Sequence, residues 1–251
     1  MKQSVFMSIL ITTAFIVSYL VFEFIFGAEG DKYGLHYIYA GGPLVVILMV
    51  LSIMVVTFIF ERIFSLRKAN GKDSLPFFLK KIQKSLMDGN VETSIEVCDH
   101  QKGSCANIIK MGLEAFQRGS KMGMNMEKRV TETKRAIEEA TSLEVPLLER
   151  NLIALSTIAS ISTMVGLLGT TLGMIRAFKA LAQSGAPDAV SLSLGISEAL
   201  INTAGGLGAA IVAIVAYNYF VNKVDTYTYL IDEASYNVVE ILTTTHGDDK
   251  N

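Results

Sequence analysis

A carboxylate sits inside one of the most apolar stretches of this chain. Glu198 lies between Gly195 and Phe220, and an ionisable group within a membrane span costs about 2.5 to 3.5 kcal/mol on insertion scales. A group kept at that cost is by default a candidate for ion handling. The stretch Leu152 to Phe178 holds Thr157, Ser160, Ser162, Thr163, Thr170 and Thr171, and Asn202 and Thr203 follow Glu198. A hydroxyl suits an ion path because it can donate, accept or hold a water chain without a permanent charge. If the two stretches are antiparallel helices, Thr170 lies six residues, about 9 Å, below Arg176. Thr203 lies five residues, about 7.5 Å, below Glu198. Two threonines then share a level beneath an ion pair expected between Arg176 and Glu198, with Thr171 the hydroxyl beside the first. Arg176 can equally snorkel to the interface. At 100° per residue Glu198 and Thr203 are about 140° apart and need not face the same space, whereas Glu198, Asn202, Gly205 and Ala209 share a face.

Tight packing is the plainer account of much of this pattern. Gly166, Gly169 and Gly173 in one stretch, and Gly205, Gly206 and Gly208 in the other, let helix backbones approach, and hydroxyls can bond across helices or back to their own. Packing explains the glycines, Asn202 and Ala209. It leaves Glu198 unexplained.

Other constellations carry less. Cys98, His100 and Cys105 are soft-ligand types, yet they lack a fourth ligand and a C-x-x-C pair, so buried reduced thiols are the expectation rather than a metal site. Gly166 to Gly173 lacks the Lys-Ser/Thr of a phosphate-binding loop. Three histidines, one of them His246 in the tail, assemble no nucleophilic set, and Met122, Met124 and Met126 lie in a Gly-interrupted loop. The reading is of a non-enzyme without cofactor or metal.

The elements that must position these residues follow from composition. Of 251 residues 51% are hydrophobic and 18% charged, with no Trp, against roughly 25% charged in soluble domains. A simple soluble enzyme, a disordered chain, a collagen-like repeat and a disulfide scaffold are all poor fits. The net charge of −2 lacks the basic excess that nucleic acid demands. Four stretches reach the roughly 20 residues needed to cross a bilayer: Val5 to Phe26, Pro43 to Phe60, Leu152 to Phe178 and Gly195 to Phe220. The first is long for a signal peptide, and Ile25 and Phe26 stand where cleavage wants small residues, so an uncleaved anchor is expected.

Between Glu61 and Arg150 lie 16 of the 22 basic residues, with Arg62, Arg67, Lys68 and Lys72 directly after the second span. The positive-inside rule makes that segment cytoplasmic. The opposite connections carry Glu29, Asp31 and Lys32, and Asp188. Both termini then face the cytoplasm. Tyr33, Tyr37, Tyr39, Tyr217, Tyr219 and Tyr227 read as interfacial aromatics.

From Asp73 to Glu149 the pattern is helical, with breaks at Asp88-Gly89-Asn90, near Gly103 and across Gly119 to Asn125. Glu127 to Glu144 reads as a solvated, salt-bridge-laced helix. Pro146 is the one expected kink in a helix running on into the third span. The expected architecture is all-α: a polytopic inner-membrane protein with long helices extending into the cytoplasm, assembling as a ring-like oligomer. Its segments are an N-terminal anchor and outer loop (1–42), a span (43–60) and a cytoplasmic helical domain (61–150). A span (151–179), an outer loop (180–194), a span (195–222) and a cytoplasmic helix and tail (223–251) complete it.

Leu148-Glu-Arg-Asn-Leu-Ile-Ala-Leu155, Val165-Gly-Leu-Leu-Gly-Thr-Thr-Leu-Gly-Met-Ile175, Gly195-Ile-Ser-Glu-Ala-Leu-Ile-Asn-Thr-Ala204 and Tyr217-Asn218 together resemble the MotA/TolQ/ExbB proton channel family, most closely its ExbB and TolQ branches. The likeness covers about residues 43 to 225, and the first helix is an addition to the family's three-span plan. The resemblance implies a pentamer of this chain around the single spans of an ExbD-like or TolR-like dimer, whose Asp accepts the proton. It implies that hydroxyls matching Thr170 and Thr203 line the ion path with the carboxylate matching Glu198 close by. It also implies work delivered to a TonB-like or TolA-like protein. Arg176 is not carried over from the family. An ExbB-like motor subunit energising outer-membrane import is the leading expectation. A TolQ-like envelope motor, a gliding or flagellar stator, and a passive membrane scaffold are the alternatives.

Overall fold

The computed structural model describes residues 3–27, 36–183 and 189–245, and these are helical throughout apart from short connections, with no strand among them. Glu29, Asp31, Lys32, Tyr33, Asp188 and His246 lie outside the described residues. The helices are α1 (Gln3–Val21), α2 (His36–Tyr39), α3 (Leu44–Asn70), α4 (Leu75–Met87), α5 (Val91–Gln101), α6 (Ser104–Lys121), α7 (Met126–Glu149), α8 (Leu152–Gln183) and α9 (Ala189–Thr245). A π-helical turn, Phe22–Phe26, follows α1. Four of the helical segments are long and apolar enough to cross a membrane. α3 and α9 both continue well past the apolar stretches that define their spans.

The chain divides into two compact units. The first comprises residues 1–60 and 151–219, the second residues 61–150 and 220–251. In the first, α1 leaves Phe15, Ile16, Tyr19 and Leu20 exposed while Ala14 and Ser18 are buried. Phe22 stacks on Tyr39 with ring centroids 4.7 Å apart, joining Val45 and Val46 in a small apolar cluster.

In the second unit the helix boundaries have local causes. Gly71 (φ +79°) and Gly89 (φ +74°) take left-handed conformations after α3 and α4, which an L side chain resists. Asn90 and Asn125 cap α5 and α7, accepting from Thr93 N and Lys128 N at 3.0 Å each, the donors a helix start leaves unpaired. The core is side-chain packing around Phe78, Ile82, Leu86, Ile108, Ile109, Leu113 and Phe116, all at most 1% exposed. Arg129 lies 3.9 Å above the Phe116 ring, and burial pushes its pKa down. The charge pattern on α7 yields the i,i+4 pair Arg135–Glu139 at 3.0 Å.

Several expectations are corrected here. What is corrected around Pro146, which lies inside α7, is the unbroken run into the third span: α7 ends at Glu149. The helix breaks instead at Arg150 (φ −52°, ψ 139°) and Asn151 (φ +64°), because Asn tolerates the left-handed region better than most non-glycine residues. Gly119 is internal to α6, where it makes room for the Arg129 stem, whose Cγ lies 3.0 Å from where a Cβ would stand. Arg62, counted among the basic residues after the second span, is 1% exposed, bonded through Nε and Nη2 to Glu61 at 2.8 Å and through Nη1 to the Leu148 carbonyl at 3.0 Å. Tyr227 is buried as well, its hydroxyl donating to the Ala69 carbonyl, because a buried phenol needs an acceptor. Its pKa is raised, chiefly by burial.

Candidate functional site

In the first unit α8 and α9 meet along their small residues. A Cβ added at Gly169 would stand 2.3 Å from Asn202 Cβ, at Gly173 2.7 Å from Gly195 O, and at Gly206 2.6 Å from Ser162 O. Gly166 is nearly as tight, 3.2 Å from Asn202 O. Gly205 faces Leu48 of α3 instead, and Gly208 meets nothing within 4 Å in this chain. Ala209 is buried.

This close approach brings Thr170 Oγ1 and Thr203 Oγ1 to 3.3 Å, with either able to donate. Both also return to backbone: Thr170 donates to Leu167 O at 2.8 Å, Thr203 to Ala199 O at 3.0 Å. The two hydroxyls are therefore neighbours with alternative acceptors, an arrangement that can pass or orient a proton by hydroxyl rotation. Thr171 is exposed and donates to Leu168 O at 2.8 Å, away from this pair.

Toward the other end of the contact Arg176 pairs with Glu198. The Glu198 side chain is 10% exposed and that of Arg176 56%, so the guanidinium both reaches the carboxylate and stays half out of the protein. Asn202, fully buried, donates from Nδ2 to Gly41 O at 2.8 Å and to Glu198 O at 3.0 Å. Among the described residues its Oδ1, like Ser162 Oγ, is buried without a hydrogen-bond partner.

Sequence reasoning did not foresee the part played by the turn before α3. Gly42 has φ +69°, and a Cβ there would stand 2.9 Å from Glu198 Oε1. With the Gly41 carbonyl on Asn202, the turn covers both Glu198 and Asn202. The only sequence signal was Gly41-Gly42-Pro43 ahead of an apolar run. A second feature was legible but unused: Ser156, Ser160 and Thr163 line one side of a groove of about 430 Å³, with Tyr217 and Asn218 on the other. Their hydroxyls bond back to α8 at 3.1 to 3.3 Å, which keeps them available to water without a free buried donor.

Cys98 and Cys105 are both buried in the second unit. Burial pushes each thiol up to about 12, so both stand protonated near neutral pH, the opposite of what thiolate ligation requires. No group of three or more His, Cys, Asp or Glu fit to hold a metal occurs among the described residues.

Four apolar helices and a polar contact between two of them define a multi-pass helical membrane protein with ionisable and hydroxyl groups inside its spans. Residues 100–233 match the profile of the MotA/TolQ/ExbB proton channel family, which is more than half of the chain, and the chain belongs to that family. It is 39% identical over 133 residues to the Tol-Pal system protein TolQ of Haemophilus influenzae, covering 50% of this chain and 58% of that one. It is 39% identical over 114 residues to TolQ of Pseudomonas aeruginosa, covering 45% and 49%. The biopolymer transport protein ExbB of Salmonella typhimurium is 39% identical over 85 residues, 34% of this chain and 35% of the relative. The matches thus span less than two thirds of these relatives' lengths.

Proposed function

We propose that this chain is the stator and channel subunit of an inner-membrane motor driven by the proton-motive force, and that it is not an enzyme. The observation that carries the reading is the Thr170–Thr203 hydroxyl pair, 3.3 Å apart inside a glycine-lined helix contact, beneath the Arg176–Glu198 ion pair. Thr170 and Thr203 relay the ion, and Glu198 sets the local potential. Gly166, Gly169, Gly173 and Gly206 hold the two helices close enough for the relay. As in ExbB-type motors, five copies surround the spans of an ExbD-like dimer, and a TonB-like protein carries the work to outer-membrane transporters. The chain is multi-pass in a Gram-negative inner membrane, among lipids, with both termini in the cytoplasm and the first helix retained. Each charge crossing 100 mV releases about 2.3 kcal/mol, so several protons per step suffice to break a few holding contacts.

A TolQ-like role in envelope integrity, with TolR-like and TolA-like partners, is the second reading. The 39% identity to two TolQ proteins, over 133 and 114 residues, supports it.

The test is energised uptake of an iron chelate, alongside detergent sensitivity of the envelope, in cells carrying Thr170→Val with Thr203→Val, or Glu198→Ala. Membrane level and partner co-purification are followed in parallel. Loss of uptake with the complex intact supports the ExbB-like motor, and envelope leakage with normal uptake supports the TolQ-like one. Full function of both variants in both assays reduces the chain to a passive scaffold.

A further inference from the structure

In the second unit, the loop between α5 and α6 closes on the end of α3 over a cavity of about 510 Å³. The two backbone segments touch. A Cβ at Gly71 would stand 2.2 Å from Lys102 O, and one at Gly103 (φ +95°) 2.3 Å from Ala69 O. Gln101 locks the contact: its Nε2 donates to Asn70 O at 3.0 Å and Asp73 O at 2.8 Å, and its Oε1 accepts from Asp73 N at 3.1 Å. The Lys72 amide donates to Gln101 O at 2.9 Å.

Around this fixed junction the chain gathers positive charge that it does not use. Lys68, Lys72 and Lys102 line the cavity, and among the described residues none of them is in an ion pair. The 18-residue helix α6 begins here, with Gly103 at its N-cap and no capping side chain. Its first-turn amides, on Ser104, Cys105 and Ala106, therefore face the N-terminal end of the helix without a side-chain acceptor. The Ser104 side chain also lines the cavity; its residue is 6% exposed, and among the described residues its hydroxyl has no hydrogen-bond partner. Unpaired helix-start amides, a free hydroxyl and three ammonium groups are the complement of a phosphate group. Glu144, also on the cavity wall, accepts from Asn107 Nδ2 at 2.9 Å, which takes up part of its charge.

We propose that this cavity binds a phosphate group, carried by a soluble anion or by the headgroup of an anionic lipid. Leu147 and Leu148 give one wall an apolar surface that a glycerol or acyl segment covers. Lys68 is eight residues past Phe60 on the same helix, about 12 Å by helical rise, within reach of a headgroup. An occupant bonded to both the α6 start and the lysines ties the end of α3 to the α5–α6 loop.

The full-length protein in uncharged detergent tests this with two probes. One is inorganic phosphate, followed by the shift in thermal midpoint. The other is phosphatidylglycerol against phosphatidylcholine in mixed micelles, counted per chain by native mass spectrometry. The variants are Lys68→Gln with Lys72→Gln and Lys102→Gln, and Ser104→Ala alone. A charge-matched control carries Lys80→Gln, Lys84→Gln and Lys121→Gln, three lysines outside the cavity lining. Removing the three cavity lysines is expected to weaken binding roughly tenfold or more, and Ser104→Ala about threefold, with the control unchanged. Binding of phosphatidylglycerol alone assigns a lipid site, of phosphate alone a soluble ligand, and of both a site for either, and each supports the proposal. No binding of either probe by the unmodified chain overturns it, as does equal loss in the control. If the triple variant aggregates, Ser104→Ala decides: a loss supports the site and unchanged binding overturns it.

Discussion

α8 and α9 approach until glycines face backbone: Gly206 lies against Ser162 O and the Gly166 Cα. α6 and α7 also use a glycine, but there Gly112 receives the Ile137 side chain, with Cγ1 2.6 Å from where a Cβ would stand. The same residue type serves two ends. In the membrane unit, lipid is as apolar as any side chain, so association gains little from burying leucines and depends on backbone proximity and polar contacts. In the second unit, water is the alternative for every apolar group, and large side chains such as Phe116 and Ile108 stabilise by leaving it. A hydroxyl pair as close as Thr170 and Thr203 needs the first kind of contact. Two threonines reach 3.3 Å only where nothing bulky separates their helices.

Perturbing the second unit should give the largest effects. Because the Cys98 and Cys105 pKa values rise from 9.0 to about 12 on folding, the protonated thiols favour the folded state. Their contribution is whole below pH 9 and is lost as pH climbs toward 12, about 2 kcal/mol per thiol by pH 10.5. Tyr227, raised by burial, acts with the same sign. Thermal midpoints between pH 8 and 10.5 should fall less steeply for a Cys98→Ala, Cys105→Ala variant than for the unmodified chain. Equal slopes would remove the thiols from the account.

Phe116→Ala should cost about 3 to 5 kcal/mol, as truncation of a buried aromatic does, read as loss of cooperative unfolding of the second unit by hydrogen exchange. The comparison itself is sharpened by Gly206→Ala against Gly112→Ala. The first drives a methyl into backbone and should cost about 1 to 3 kcal/mol, while the second meets side-chain atoms of Ile137 and Thr133, which can shift more readily than backbone, and should cost less. Equal losses in a detergent melt would erase the distinction between backbone and side-chain contacts. Smallest is Asn90→Ala, which removes the cap of α5 for about 1 kcal/mol, visible as faster amide exchange over residues 91–94.

The helical content and the four apolar stretches were legible because they depend on local composition over windows of about 20 residues. The shared level of Thr170 and Thr203 was legible too, since helical rise alone sets it once two spans run antiparallel. What sequence could not carry were contacts made at long range. The Gly41 carbonyl meets Asn202 across 161 residues, and no local pattern announces it. The burial of Arg62 was not legible either, because neighbouring residues do not reveal it. The break before the third span was illegible for a different reason: it is set by the backbone of Arg150 and Asn151, which leave the right-handed region after α7 has run on past Pro146.

Arg62 also has a history in time. Its acceptor, the Leu148 carbonyl, is 86 residues downstream, and at the roughly 5 to 20 residues per second of synthesis that carbonyl does not exist for the first several seconds of the arginine's life. During that interval the side chain is an ordinary cation beside a freshly made apolar segment, and adjacent Glu61 does little to offset it, because acidic residues weigh lightly in topology. It can therefore help decide which way the segment inserts, and afterwards be withdrawn into the folded unit. The same guanidinium can thus bear on insertion early and serve as a structural strut later, without any change in its chemistry.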